Sequence, residues 1–110
     1  MEAPSTRVHL AVAVADLIGS VAEYSRLFGQ PPVLVVPGEY ALWRTRELNF
    51  SIRKSGDAPG TVRHVGFERD DAPEFSKYVD SNGLVWETFS SMHQAGEIAA
   101  LWPDAKYDPR

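Results

Sequence analysis

Two histidines lie at matching places in two similar stretches of the chain. Residues 7–16 read R-V-H-L-A-V-A-V-A-D, and residues 61–71 read T-V-R-H-V-G-F-E-R-D-D. In both stretches an aspartate follows the histidine by seven positions, so that His9 corresponds to His64. Imidazole nitrogens are good ligands for Fe²⁺, Mn²⁺, Zn²⁺ and Ni²⁺. The pair indicates either a shared metal site or two packed, hydrogen-bonded histidines of a duplicated scaffold.

Strands must position both histidines, because each lies in a valine-containing apolar run. The run from Val8 to Ala15 predicts the first strand. Asp16 then has the place of a helix N-cap, since its carboxylate can accept from the free amides of a first turn. Apolar residues follow at helical spacing, and Gly29 before Pro31-Pro32 predicts the end of the helix.

The rest of the first half reads as three strands. Val33–Val36 predicts a short strand, and 40–45 with 48–54 predicts a hairpin. Strict alternation in 48–54 should direct its apolar residues towards the helix and its polar residues to the opposite face of the sheet. The apolar set is Leu48, Phe50 and Ile52, and the polar set is Asn49, Ser51 and Arg53.

After a turn-rich linker at 55–60, the second half repeats the pattern. Residues 62–69 predict a strand in which Val65 and Phe67 are expected to be buried, and Asp71 is placed as the N-cap of a second helix that ends at Asn82-Gly83. Two strands are predicted at 84–90 and 97–102. The tail 103–110 shows no strand pattern, so this half is one strand short.

The order of these elements resembles the vicinal oxygen chelate superfamily, which includes glyoxalases, bleomycin and fosfomycin resistance proteins and extradiol dioxygenases. Three segments carry the resemblance, at 9–29 (H-L-A-V-A-V-A-D-L-I-G-S-V-A-E-Y-S-R-L-F-G), at 40–53 (Y-A-L-W-R-T-R-E-L-N-F-S-I-R) and at 63–75 (R-H-V-G-F-E-R-D-D-A-P-E-F). The first is similar to the usual opening of the family, in which a strand histidine precedes V-x-D-L, then S-x-x-F/Y-Y and L-G. The likeness covers about residues 6–90.

The resemblance implies an α+β fold, with two βαβββ-type modules forming a mixed, curled sheet around a cleft. Module one would be 6–54 and module two 61–102, shortened at its last strand, within one domain spanning residues 1–110. In metal-using members, the first strand of a module supplies a histidine and its last strand a carboxylate. His9 and His64 match the histidine positions. The last-strand position of module one falls near Ser51, which is no carboxylate, and the last strand of module two is not recognisable.

Other residues are weaker candidates for the functional site. His93 and Glu97 are candidates for a third metal ligand, although an exposed loop histidine and a solvated strand-edge acid are the better explanations. Trp43 and Trp86 are candidate ligand contacts in an aromatic cleft, with Tyr40 and Trp102 as further rings, and most of this aromatic mass should be core or dimer interface. Asn49, Ser51 and Arg53 are the predicted polar ligand contacts, and a solvated sheet face explains them equally well. No catalytic residue is assigned.

Composition excludes several classes of function. The chain has 110 residues with a net charge of −4 and no basic block, which argues against nucleic-acid binding. It has no cysteine, hence no thiolate metal site. No apolar run is long enough to cross a membrane and the N-terminus shows no signal pattern, so a cytoplasmic protein is expected. The missing strand leaves an open sheet edge, which predicts a homodimer with either side-by-side or swapped modules.

Three functions fit these observations. The first is a metal-dependent lyase or dioxygenase that uses His9 and His64. The second is a metal-free protein that binds a small molecule in the inter-module or dimer cleft, and the third is a structural or regulatory dimer. The sequence favours the second, because the carboxylates of the metal site are not recognisable in it.

Overall fold

The computed structural model of the protein describes residues 5–110 and confirms an α+β fold with a mixed, unclosed seven-stranded sheet. Residues 1–4, which are part of the N-terminal stretch in which no signal pattern was found, lie outside the described range. The elements, in chain order, are β1 (Thr6–Val14), α1 (Leu17–Phe28), β2 (Leu34–Val36), β3 (Tyr40–Arg44), β4 (Leu48–Lys54), β5 (Val62–Arg69), β6 (Ser76–Val79), β7 (Val85–Phe89), α2 (Ser91–Leu101) and a short 3₁₀ helix (Pro103–Ala105).

The sheet is built from two similar halves joined at its centre. Its strand order is β2-β3-β4-β1-β5-β7-β6, and the antiparallel pair β1–β5 connects the halves. In each half the first strand runs parallel to the last, as β1 does with β4 and β5 with β7. A hairpin strand, β3 or β6, then lies antiparallel to that last strand. The sequence repeat therefore corresponds to a repeat in strand topology.

Helix α1 forms as the sequence predicts. The Asp16 side chain accepts a hydrogen bond from the backbone N–H of Gly19 (3.2 Å), and Gly29 ends the helix in the left-handed conformation (φ 69°). One apolar face of the helix packs on the sheet, against a core that includes Trp43, Phe50 and Ile52. The predicted alternation of β4 is confirmed, since its apolar residues face α1.

The second half differs from the prediction in its helix. No helix follows Asp71, which instead pairs on the surface with Arg69 (Nε–Oδ1 2.9 Å), and the chain reaches β6 through a turn. Pro73 accounts for this, because it disfavours helical dihedrals at Ala72, in the first turn of the expected helix. The shortening of module two therefore lies between β5 and β6, where the first half has a helix and a strand.

Helix α2 lies where the sequence predicted a strand at 97–102. Ser90 and His93 form reciprocal cap bonds at its start, and Ile98 packs on Tyr40 and Leu42. The prediction of a strand was wrong because it overlooked the helical spacing of Ala95, Ile98 and Trp102. The tail then returns over this cluster, with Ala105 and Tyr107 packed against it.

The two helices lie on opposite faces of the sheet, which reverses the expected burial of β5. Its polar residues His64 and Glu68 face the side covered by α2, whereas Phe67 on the other face is 38% exposed. Tyr78 of β6 is 68% exposed, so no helix covers this half of the outer face within the described chain.

The homodimer stays a prediction. Neither described helix is long and apolar enough to cross a membrane.

Gly66 gives a test of this architecture. A Cβ atom there would clash with the backbone carbonyl oxygen of Glu87 on the adjacent strand. We expect Gly66→Ala to lower the free energy of unfolding by about 3 kcal/mol or more, because backbone cannot move aside as a side chain can. Gly56→Ala is the control, since open space surrounds that position. Equal stability of the two variants in chemical denaturation would contradict the β5–β7 register.

Candidate functional site

Three potential metal ligands converge on the face of the sheet that α2 covers. His9 Nε2 lies 3.1 Å from His64 Nδ1, and His64 Nδ1 lies 3.3 Å from Glu87 Oε1. One ligand atom from each of the three residues falls within 4.8 Å of the other two. His9 and Glu87 are buried and His64 is half-buried. The group contains the two histidines that the sequence singled out and one carboxylate that it did not.

Strand register brings these residues together. His9 on β1 lies opposite Gly66 on β5, which in turn lies beside Glu87 on β7. Gly66 has no side chain, so it leaves space between His9 and Glu87, and His64 enters this space from two residues earlier in β5. The sheet thus presents all three on one face.

The two halves place Ser51 and Glu87 at equivalent positions. Two residues after His9, Ala11 pairs with Ser51 on β4; two residues after His64, Gly66 pairs with Glu87 on β7. Glu87 therefore occupies the last-strand position at which the resemblance implies a carboxylate. Strand β7 was predicted as a strand at 84–90, but the sequence did not identify it as the last strand of the second half.

The donor types and two of the three separations between ligand atoms are compatible with a divalent transition metal. Metal–nitrogen distances of about 2.0–2.1 Å with tetrahedral or octahedral angles separate neighbouring ligand atoms by about 2.9–3.4 Å. The His9–His64 and His64–Glu87 separations of 3.1 and 3.3 Å lie in this range. Two imidazoles with one carboxylate are a common set for non-haem Fe²⁺ and for Zn²⁺.

Buried polar side chains orient His9. Its Nδ1 is 2.8 Å from the side-chain oxygen of Asn49 and 3.2 Å from the Asn49 carbonyl oxygen, so Nδ1 carries the proton and donates. The Nε2 lone pair then faces His64. Asn49 is itself fixed because its amide nitrogen donates to Glu68 (2.9 Å) and to Gln94 of α2 (2.7 Å). A hydrogen-bonded second ring nitrogen is typical of metal-binding histidine.

Two arginines anchor this network through Glu68. Arg7 donates to Glu68 Oε2 (2.7 Å), and Arg44 donates to both carboxylate oxygens (2.8 and 2.9 Å). Burial alone would raise the pKa of Glu68, but the hydrogen bonds from Arg44 and Asn49 and the charges of both arginines lower it below its ordinary value. Glu68 therefore remains a carboxylate and holds Asn49 in place.

Both histidines are neutral at pH 7. Burial lowers the pKa of His9, against the raising effect of its hydrogen bonds to Asn49. Burial also lowers the pKa of His64 to about 3, helped by His9 and by the positive charges of Arg63 and Lys77. The contact of His64 with Glu87 is thus no ion pair at neutral pH, and burial raises the pKa of Glu87. Neutral imidazoles keep a lone pair available to a cation.

The three residues open into a cavity of about 210 Å³ between the sheet and α2. Polar and charged residues line one part of it, including Arg53, Arg63 and Lys77. Aromatic and aliphatic residues line the rest, with Phe75 stacked on Phe89 and Trp102 beside Tyr40. The volume suits a molecule not much larger than a benzene derivative.

The structure separates the predicted ligand contacts into two groups. Ser51 and Arg53 line the cavity, and Asn49 lies behind it as the partner of His9. Trp43 does not line it, because its side chain is fully buried in the core under α1. Trp86 also faces away, packing on Phe67 and donating from its indole nitrogen to an aspartate. Neither tryptophan therefore lines this cavity.

The candidates for a third metal ligand are also reassigned. The Nδ1 of His93 accepts from the backbone N–H of Ser90 (3.0 Å), so this histidine caps α2. Glu97 lies on α2, exposed at the cavity edge and outside the ligand group. Sequence reasoning missed Glu87, although an acid in the middle of the apolar strand V-W-E-T-F was an available signal. It also missed Glu68, which lies in a similar setting.

No protein-family model matches this chain, and no curated protein does. The assignment of the site therefore depends on its geometry.

Glu68→Gln tests whether the buried network stabilises the fold. The folded-state pKa of Glu68 is lowered, so its stabilising contribution is fully present above the ordinary glutamate value of about 4.3 and is lost as the pH falls through the folded-state pKa. We expect Glu68→Gln to lower the free energy of unfolding by about 2–3 kcal/mol at pH 7, since it leaves two arginines without a charge partner. The difference from the wild type should shrink below about pH 4.

Denaturant unfolding at several pH values measures this effect. Glu74→Gln removes an exposed acid and serves as the control, with an expected change within about 0.5 kcal/mol. A Glu68→Gln variant as stable as the control at pH 7 would show that the network contributes nothing to stability.

Proposed function

We propose that this protein binds a divalent transition-metal ion through His9, His64 and Glu87 and acts on a small molecule held in the adjoining cavity. The observation that carries the proposal is the convergence of the three ligand atoms within 4.8 Å at the base of a cavity. Acidic surface clusters often have no ligand, but this group is largely buried and contains two neutral imidazoles. The neutral state of both imidazoles and the orientation of the His9 lone pair favour a cation.

Three protein ligands leave coordination positions for a substrate. A cation held there would act as a Lewis acid on an oxygen of that substrate and stabilise negative charge on it. The residues around it have separate tasks: Asn49 keeps the lone pair of His9 directed at the site, and Gln94 fixes Asn49 from the side of α2. Phe89 packs edge-on against the His9 ring (4.9 Å between centroids) and shields it from water.

This proposal places the chain with metal-using members of the vicinal oxygen chelate superfamily, as glyoxalases and extradiol dioxygenases are. The curled sheet of two related halves supports the placement, as does the equivalence of Ser51 and Glu87. The sequence favoured a metal-free protein because it offered no carboxylate at the last-strand position. Glu87 occupies that position, so the reason for the preference no longer holds.

Metal-free binding of a small molecule is the second candidate function. The observation in its favour is that the cavity has its own aromatic and cationic lining apart from the histidines. A purely structural role predicts a cleft filled by side chains, and a cavity of about 210 Å³ does not favour it.

Metal titration distinguishes these candidates. We expect the purified protein, stripped by chelator, to bind one Zn²⁺ or Ni²⁺ per chain in calorimetry. With Co²⁺, it should show the visible absorption of a metal bound to nitrogen and oxygen. His64→Ala and Glu87→Gln should each weaken binding by at least about 100-fold, because loss of a direct ligand costs more than loss of an outer partner.

Glu97→Gln is the matched control for Glu87→Gln. It removes the same charge from the rim of the same cavity but lies outside the ligand group, so its metal affinity should stay within about threefold of wild type. Circular dichroism verifies that each variant is folded. Equal losses in Glu87→Gln and Glu97→Gln, or a wild-type protein that takes up none of the three ions, would refute the metal site and leave metal-free binding as the better function.

A further inference from the structure

Arg53 is a cation in the cavity without an anionic partner. Among residues 5–110, its guanidinium forms no hydrogen bond or ion pair, and it lies over the Trp102 ring at 5.2 Å from the centroid. The side chain is half-buried, in the cavity wall beside Ser51. The other two cations of the wall are differently placed, since Arg63 Nε lies 3.6 Å from Asp57 and Lys77 Nζ lies 3.7 Å from Glu87.

The charge balance of the cavity favours a negatively charged guest. Arg53, Arg63 and Lys77 contribute three positive charges, against the carboxylates of Glu87 and Glu97. Glu97 of α2 and Lys77 are both exposed, so water screens both charges, whereas Arg53 is half-buried. A bound divalent cation would raise the positive excess further. A half-buried guanidinium with unused donors can bind a carboxylate or phosphonate through two parallel hydrogen bonds.

The apolar wall limits the rest of the guest. Leu101, Trp102 and Phe75 line the same cavity as Arg53, so a ring or short aliphatic chain has apolar surface to contact. Trp102 is held in place by Tyr40, at 4.9 Å between ring centroids, and its face supports the guanidinium. The volume of about 210 Å³ is enough to enclose a compact guest.

We infer that the ligand of this cavity is a small organic anion, a carboxylate or phosphonate with an apolar body, and that Arg53 binds its anionic group. The inference specifies the ligand of the proposed function. It rests on one part of that proposal, namely that the cavity holds a small molecule. Arg53 comes from β4 and the metal ligands come from β1, β5 and β7, so an anion contact and a metal contact can be removed separately.

Benzoate and its neutral analogue benzamide are suitable probes, because they share shape and differ in charge. Binding to the chelator-treated protein is followed by the indole resonance of Trp102, assigned by its loss in Trp102→Phe. We expect saturable benzoate binding, tighter than that of benzamide and weakened by added salt. Arg53→Gln should reduce benzoate affinity about tenfold or more while changing benzamide affinity less than about threefold.

Two further variants serve as controls for charge. Arg63→Gln removes a cation that already has a partner, and should change benzoate affinity less than about threefold. Arg53→Lys keeps the charge and should retain the preference for benzoate over benzamide. Equal binding of the two probes, no saturable benzoate binding, or an Arg53→Gln variant with unchanged benzoate affinity would overturn the inference. If the wild-type protein binds benzoate but takes up none of Zn²⁺, Ni²⁺ and Co²⁺, the inference is upheld and the metal site is refuted.

Discussion

The antiparallel pairing of β1 with β5 is the interaction on which the site depends. It joins the two halves of the sheet and sets His9 opposite Gly66, with His64 two residues away on the same face. The absence of a side chain at Gly66 lets β7 approach so closely that a Cβ would meet the Glu87 backbone. A one-residue shift in this register would turn His64 to the outer face and separate it from His9 and Glu87, since side chains alternate along a strand.

Much of the first half was predictable because its signals are local. The cap at Asp16, the stop at Gly29 and the alternation of β4 each depend on a few neighbouring residues, and all three are confirmed. The second half contains competing signals. Asp71 resembles a cap, but the restriction that Pro73 imposes on Ala72 and the pairing of β6 with β7 decide its structure. A local pattern does not reveal which strand edge is available for pairing.

The site was predictable in its histidines and not in its carboxylate. His9 and His64 were found because the repeat marks them, whereas finding Glu87 required the assignment of β7 as the last strand of module two. The wrong strand at 97–102 concealed this equivalence. Trp43 was predicted as a ligand contact but is buried in the core. The reason is related, because alternation along a strand distinguishes the two faces of the sheet but does not show which face lines a cavity.

The position of α2 explains why Glu68 of β5 is buried whereas Phe67 is exposed. A sheet face that carries Asn49, Glu68 and His9 cannot be covered by an apolar helix alone, because each buried polar group needs a hydrogen-bond partner. Helix α2 meets this need with Gln94, which exchanges two hydrogen bonds with Asn49 (2.7 and 3.2 Å). Further along the helix, Ile98 provides the apolar contact. A wholly apolar helix would leave the Asn49 amide short of a partner, so the polar interior of the site and the sequence of α2 constrain each other.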